Sequence, residues 1–391
     1  MSDWGHLLTK AASRIEERFD QLKFGLKLRT GWLDPVKIQP YRGHGTSKLL
    51  YLKGRVLERK GITSPQETDS VWLNILNMYR RFDSDEIPGA RLRVRYGGNE
   101  FEAETDEEGY FDLQIEPREA FPEERVWHEV ELELLEPKAK NQGRVRAVGH
   151  VLVPPPKAEF GVISDIDDTI VLTGATDPIA MARIVVLNNP HTRLPFEGVA
   201  AFYQALRKGC RGGGYNPIFY VSSSPWNLYD LLVDFLNIQG IPLGPLFLRD
   251  LGLEEDKFIK SGHHEHKLKQ IRTILDTHTQ LPFVLIGDSG QEDPEIYRQV
   301  VDEYPGRIKV IYIRDVALEE RDISVKRIID DLRPRGVEMV LVADTITAAE
   351  HAVNCQLIAA EALSSIRIDK AKDEQAPTLI EQLPGPIGDQ S

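Results

Sequence analysis

An apolar run at residues 160–163 leads into Ser164-Asp165-Ile166-Asp167-Asp168-Thr169. Carboxylates spaced this closely repel one another and raise each other's pKa unless a cation neutralises them. The natural neutraliser is a hard cation such as Mg2+, which prefers oxygen ligands. Such a group of acids suits metal-dependent phosphoryl transfer. The bland alternative is a strand followed by an acidic turn or a helix cap, and D-x-D-x-T alone does not choose between the two. Three further sites carry chemistry. Ser222 opens Ser222-Ser223-Ser224-Pro225-Trp226 after an apolar run. Lys267 stands in HKLKQIRTIL. Asp288 follows Phe283-Val284-Leu285-Ile286-Gly287 and leads on to Glu292-Asp293.

The elements that must position these groups are legible as a pattern. Residues 158–345 alternate apolar runs at 160–163, 218–221, 282–286, 309–313 and 339–342 with helical spacing near 199–208, 226–238, 265–277 and 294–303. Runs without polar alternation are strands buried on both faces, so the pattern predicts an α/β fold with a doubly wound parallel sheet. Ligands in that architecture bind at the carboxyl ends of the strands. The acids, Ser222 and Lys267 then converge on one edge.

Ahead of this region the pattern changes. Residues 48–153 show period-two alternation, clearest in Arg91-Leu92-Arg93-Val94-Arg95-Tyr96, with turn signals at Gly97-Gly98-Asn99 and 106–110. This predicts a small antiparallel β-sandwich-like domain. Residues 73–82 read as a helix or an insertion within it. Val153-Pro154-Pro155-Pro156-Lys157 reads as the boundary, because consecutive prolines stiffen a linker and stop a strand. Residues 1–47 form a front segment, with an amphipathic helix expected over 5–24 and a Gly/Pro loop over 35–47. Residues 346–391 read as a terminal helix to 366 and then a disordered tail.

Taken together, the four sites resemble the haloacid dehalogenase superfamily of phosphohydrolases, whose motifs are D-x-D-x-T, a strand-end Ser/Thr, a Lys and an acidic G-D-x(3–4)-D. All four occur here in order. The finer wording PYRGHGT, DIDDTI, YVSSSPWNLY, HKLKQI and GDSGQEDPEIY is similar to one branch, the actin-patch phosphatidate phosphatase family and its bacterial relatives. The superfamily resemblance covers about 160–315, and the branch resemblance reaches back to Arg42-Gly43. It implies a Mg2+-dependent phosphatase that converts phosphatidate to diacylglycerol through an aspartyl-phosphate. Asp165 would be the nucleophile and Asp167 the general acid and base. Asp165, the Asp167 carbonyl and Asp288 would hold Mg2+, with Asp293 or Glu292 in the outer shell. Ser222 and Lys267 would bind phosphoryl oxygens.

The residues leave alternatives open. Ser222 could cap the following helix, or Ser223 could take its place; Lys269 or Lys260 could stand in for Lys267. Asp168 reads as a capping group. His263, His264 and His266 raise a transition-metal site, against the simpler reading of a loop into the Lys267 helix. Trp226, Leu228 and Tyr229 could meet acyl chains, although core packing is the expected use of at least two of them. The segment 172–217 is too short for a large cap domain, so the site is expected to be open to bulky substrates, a lipid headgroup or a phosphorylated macromolecule; hydrolysis of a soluble or protein phosphomonoester, or a non-catalytic module that binds a membrane or partner, are the alternatives.

Composition sets outer limits. The 391 residues carry a net charge of −13, which argues against general nucleic-acid binding. Residues 1–60 hold 13 Lys and Arg against 6 Asp and Glu, so the front is basic and the remainder acidic. A basic front on an acidic body suits peripheral contact with an anionic membrane, though a solvated face explains it too. Two cysteines, Cys210 and Cys355, imply no disulfide framework. No apolar run reaches the length of a membrane span, and a cytoplasmic location is expected.

Overall fold

The computed structural model describes residues 33–58, 86–119, 121–122, 124–166, 196–250, 261–316 and 319–374. The expectations placed on 5–24, 73–82, Asp167, Asp168, 172–195 and the tail beyond 374 lie outside these residues.

Eight strands make the first sheet: β1 (Val36–Pro40), β2 (Gly43–Gly45), β3 (Leu50–Glu58), β4 (Arg91–Tyr96), β5 (Asn99–Glu104), β6 (Tyr110–Ile115), β7 (Trp127–Glu136) and β8 (Arg146–Leu152). Their order is β1-β3-β2-β8-β7-β4-β5, with β6 on β3. Alternation decides which side chains go inward. Leu92 and Val94 of β4 are buried with Leu52 and Val56 of β3, Val130 and Leu132 of β7, and Phe111 and Leu113 of β6. The expected antiparallel sandwich is therefore one hydrogen-bonded sheet folded around its own core. Its β2–β8 pair, Gly43 opposite Val151, is parallel.

The stretch 35–47, expected as a loop, is mostly strand. Its glycines are what let it pair. A Cβ on Gly43 would stand 2.1 Å from the Tyr51 carbonyl oxygen, and one on Gly45 would stand 2.4 Å from that of Leu49.

The second sheet contains β9 (Gly161–Asp165), β10 (Ile218–Pro225), β11 (Leu246–Arg249), β12 (Phe283–Asp288), β13 (Ile308–Arg314) and β14 (Glu338–Val342). The order is β11-β10-β9-β12-β13-β14, and every neighbouring pair is parallel. Among the described residues seven α-helices accompany it: α1 (Val199–Lys208), α2 (Tyr229–Ile238), α3 (Ser261–Thr277), α4 (Asp293–Glu303), α5 (Glu319–Leu332), α6 (Thr345–Asn354) and α7 (Ala362–Glu374). Val162, Tyr220, Val284 and Tyr312 bury one face against α1, α2, α6 and α7. Ile163, Phe219, Leu285 and Ile311 bury the other against α3, α4 and α5. Covering both faces is why these strands read as continuous apolar runs.

Three elements differ from expectation. β11 is a four-residue edge strand, too short for a periodic signal, and α5 is too polar to stand out. The expected helix over 346–366 is broken after Asn354, where Gln356 takes a positive φ of 56°. A second helix, α7, then runs to Glu374, past the expected start of the tail. It is held there because Asp373 and Asp369 accept hydrogen bonds from the Gly198 and Ala201 N–H groups at the start of α1, at 2.8 and 3.0 Å.

The two sheets meet through specific contacts. Tyr41 stacks on Trp226 with ring centroids 4.2 Å apart, and the Arg42 N–H donates to Tyr229 Oη at 2.8 Å. His44 Nδ1 lies 3.4 Å from His278 Nε2, with both rings buried. Burial pulls His44 down to about 4 and, helped by His44 and Arg307, pulls His278 down to about 3. Both are neutral in the folded chain, whereas an exposed imidazole takes its proton near pH 6.5. Their contribution to stability is therefore complete above pH 6.5 and is lost as pH falls toward 4 and 3. From pH 7 to 5, His44 alone is expected to cost about 2 kcal/mol. Thermal midpoints across that range should fall steeply for the native chain and less steeply for His278→Gln. An equal slope would contradict this account.

Candidate active site

Asp165 is the last residue of β9. Its partner on β10 is Val221, so Ser222 is the next residue on that strand. On the other side Ser164 pairs with Ile286, two residues before Asp288, which ends β12. Asp165, Ser222 and Asp288 thus stand at the carboxyl ends of three adjacent strands. The strand order reverses between β9 and β12. Connections leave such a point toward opposite faces and open a crevice between them.

Lys267 reaches this edge from α3. It is 3% exposed, and its Nζ lies 2.9 Å from Asp165 Oδ1 and 2.6 Å from Asp293 Oδ1. It also donates to Gln291 Oε1 at 3.2 Å. Burial alone would lower the ammonium's pKa, but the Asp165 and Asp293 carboxylates outweigh it and raise the pKa. The lysine is a fixed positive charge.

Asp293 begins α4, with Pro294 fixing the first turn. Its Oδ2 accepts the Asp288 N–H at 3.1 Å, while Asp288 Oδ1 accepts the N–H groups of Gly290 at 2.7 Å and Gln291 at 2.8 Å. These bonds fold 288–293 into a tight acidic loop. Gly287 makes the loop possible, since a Cβ there would lie 2.3 Å from Asp293 Oδ2. Arg321 on α5 fastens it from outside by donating to the carbonyls of Ser289 and Gln291 and by forming a two-pronged ion pair with Glu295.

Asp165, Asp288 and Asp293 are all buried, and each offers an oxygen within 4.8 Å of the others. Lys267 pairs with two of these three carboxylates, Asp165 and Asp293. An all-oxygen donor set of three carboxylates fits a hard divalent cation such as Mg2+.

The structure separates several candidates that the sequence left level. Glu292 is half-exposed and pairs with His264 Nδ1 at 3.3 Å, so Asp293 is the acid in the cluster. Lys269 is exposed, and Lys260 lies outside the described residues. Ser222 is fully buried, and its Oγ accepts the Ser224 N–H at 2.9 Å. It caps no helix, because the 3-10 turn at Trp226–Leu228 is preceded by Pro225. Ser223 is half-buried. Trp226, Leu228 and Tyr229 are core residues. Among the described residues, His263, His264 and His266 do not gather with other potential ligands; His264 instead meets Glu292 and Gln299. Asp167 lies outside the described residues.

Sequence reasoning missed Gln291 and Arg321. Gln291 sits inside the Asp288–Asp293 interval and could have been found there. Arg321 lies on a polar helix with no local pattern pointing to the site.

Residues 160–315 match the family model described as the catalytic domain of phosphatidate phosphatase APP1. The chain is 34% identical over 156 residues to phosphatidate phosphatase APP1 of Saccharomyces cerevisiae, covering 40% of this chain and 26% of that protein. An uncharacterized protein of Schizosaccharomyces pombe is 27% identical over 219 residues, which are 56% of this chain and 35% of that protein. The chain thus spans 26% and 35% of the lengths of these two relatives. Among solved structures, a carbohydrate acetylesterase from Xanthomonas citri aligns with 85% of this chain and 72% of its own, at 10% identity and a TM-score of 0.26. A likeness that low carries no argument.

Proposed function

We propose that this chain is a phosphoric monoester hydrolase working at the Asp165–Lys267–Asp288–Asp293 cluster, and that its substrate is phosphatidate. The observation that carries the chemistry is the buried set of three carboxylates around one lysine at the strand switch point. The match of 160–315 to a phosphatidate phosphatase catalytic domain supports the substrate. The four ordered motifs and the strand order β11-β10-β9-β12-β13-β14 support a haloacid dehalogenase-like fold.

In this reading a carboxylate oxygen of Asp165 attacks phosphorus, the P–O bond to the glycerol oxygen breaks, and an aspartyl-phosphate forms. Asp167 gives its proton to the departing alkoxide. It then takes a proton from the water that attacks phosphorus and frees Asp165 and inorganic phosphate. Lys267, held beside Asp165, receives a phosphoryl oxygen by charge, and the Ser222 hydroxyl donates to another. Mg2+ held by Asp165, Asp288 and the Asp167 carbonyl, with Asp293 beside them, would reduce repulsion between the carboxylate and the phosphoryl dianion.

A cavity of about 590 Å³ runs between the two sheets, lined by Tyr41, Tyr51, Trp226 and Phe247 together with Lys53, Lys269, Asp112 and Asp250. It passes His266, the neighbour of Lys267 on α3. Among the described residues no helix is long and apolar enough to cross a membrane. Access to a lipid would therefore rest on surface contact, for which the basic residues 1–60 are the candidate.

Phosphate release should be measured from phosphatidate vesicles, an aryl phosphate and sugar phosphates, with Mg2+ and with chelator. Mg2+-dependent release, greatest from phosphatidate, is expected. No release from any ester would overturn the hydrolase, and release from the soluble esters alone would overturn the lipid assignment. Gly287→Ala should lower the rate by about 10²-fold, because the added methyl displaces Asp293. An unchanged rate would show that the position of Asp293 does not matter.

A further inference from the structure

A second cluster of potential ligands lies at the opposite edge of the parallel sheet, where β14 begins and α6 ends. Glu338 is the first residue of β14. His351 and Cys355 are four residues apart at the end of α6, a spacing that puts both on one face. His351 Nε2 lies 3.2 Å from Glu338 Oε2 and 3.8 Å from Cys355 Sγ. One ligand atom from each of the three residues lies within 4.8 Å of the others. Around a tetrahedral zinc with ordinary bond lengths, nitrogen and oxygen ligands stand about 3.4 Å apart, and nitrogen and sulfur about 3.6 Å. The nitrogen–oxygen separation is close to the first of those edges, while Cys355 Sγ, 3.7 Å from Nδ1 and 3.8 Å from Nε2, lies beside the ring and would turn toward Nε2 on binding.

The imidazole is also oriented from behind. Buried Tyr312 places its Oη 3.0 Å from His351 Nδ1. That contact fixes the plane of the ring and aims Nε2 at the Glu338 carboxylate. Metal-bound histidines are usually held by such an outer partner on the other nitrogen. Glu338 and Cys355 are exposed, which leaves a further coordination position open to water.

We propose that Glu338, His351 and Cys355 bind a zinc-class transition-metal ion, independently of the acid cluster at Asp165. A thiolate and an imidazole select such ions over Mg2+, which prefers oxygen ligands throughout. The Cys355 thiol gives up its proton to solvent on binding. The ion would join the end of α6 to the start of β14, far from the strand ends that carry Asp165 and Asp288.

Co2+ is the probe, added to the full chain. A thiolate-to-cobalt charge-transfer band is expected in the native chain and in Cys210→Ser, and is expected to vanish in Cys355→Ser. Tyr312→Phe should weaken Co2+ binding by about 10-fold. On the unaltered chain, Zn2+ should slow alkylation of Cys355, read by peptide mass spectrometry, and leave Cys210 unaffected. The proposal is overturned by no band in the native chain, by a band that survives Cys355→Ser, or by Cys355 alkylating equally fast with and without Zn2+.

Discussion

Asp165→Asn is expected to lower phosphate release by about 10⁴-fold while the protein stays folded. Asparagine keeps the shape of the side chain and removes the charge and the nucleophilic oxygen. Lys267 keeps its 2.6 Å ion pair with Asp293, so the ammonium is not stranded. Removing one of three neighbouring carboxylates also relieves repulsion. Thermal unfolding without metal should therefore show a midpoint equal to or above that of the native chain. Initial rates with saturating substrate, taken beside that midpoint, check both halves. A near-native rate would remove Asp165 from the chemistry, and a collapsed midpoint would make it a structural residue.

Lys267→Met should have the opposite signature. Methionine fills similar space without charge, so buried Asp165 and Asp293 lose the ammonium that pairs with both. Breaking a buried pair by deleting one member costs about 3–5 kcal/mol, because the other charge is left buried. The sign with pH follows from the raised pKa of the lysine. Its contribution is fully present below the ordinary lysine range, near 10.4, and is lost only as pH rises beyond that toward the raised folded value. The deficit of the variant should therefore be flat across neutral pH. Added Mg2+ should raise the midpoint of Lys267→Met more than that of the native chain, since the ion meets more uncompensated charge there. Equal midpoints in the two proteins without metal would contradict the charge balance argued for this site.

Much of this arrangement was legible because buried parallel strands announce themselves as apolar runs. The runs at 160–163, 218–221 and 282–286 located β9, β10 and β12, and the polar residues at their ends make up the candidate site. Strand order was not legible, since hydrophobic pattern carries no record of which strands pair, and that order is what opens a crevice beside Asp165. The choice between Glu292 and Asp293 turned on one residue of helix phase at the start of α4, finer than any periodic signal. The strands within 35–47 were hidden because their glycines mark turns more often than the close backbone approach they serve here. Arg321 was hidden because its partners are carbonyl groups, which a sequence does not distinguish. α7 was read partly as tail because its hold on α1 depends on Asp369 and Asp373, residues typical of solvated segments.

The central claim is that Asp165 takes the phosphoryl group itself. Mixing the native chain with phosphatidate carrying a radioactive phosphate, in Mg2+, and quenching in acid within one turnover tests it directly. The account predicts radiolabel bound to the protein, released by alkali, mapped to the peptide containing Asp165 and missing from Asp165→Asn. Rapid phosphate release from a chain that never carries the label, or a label on another residue, would contradict it.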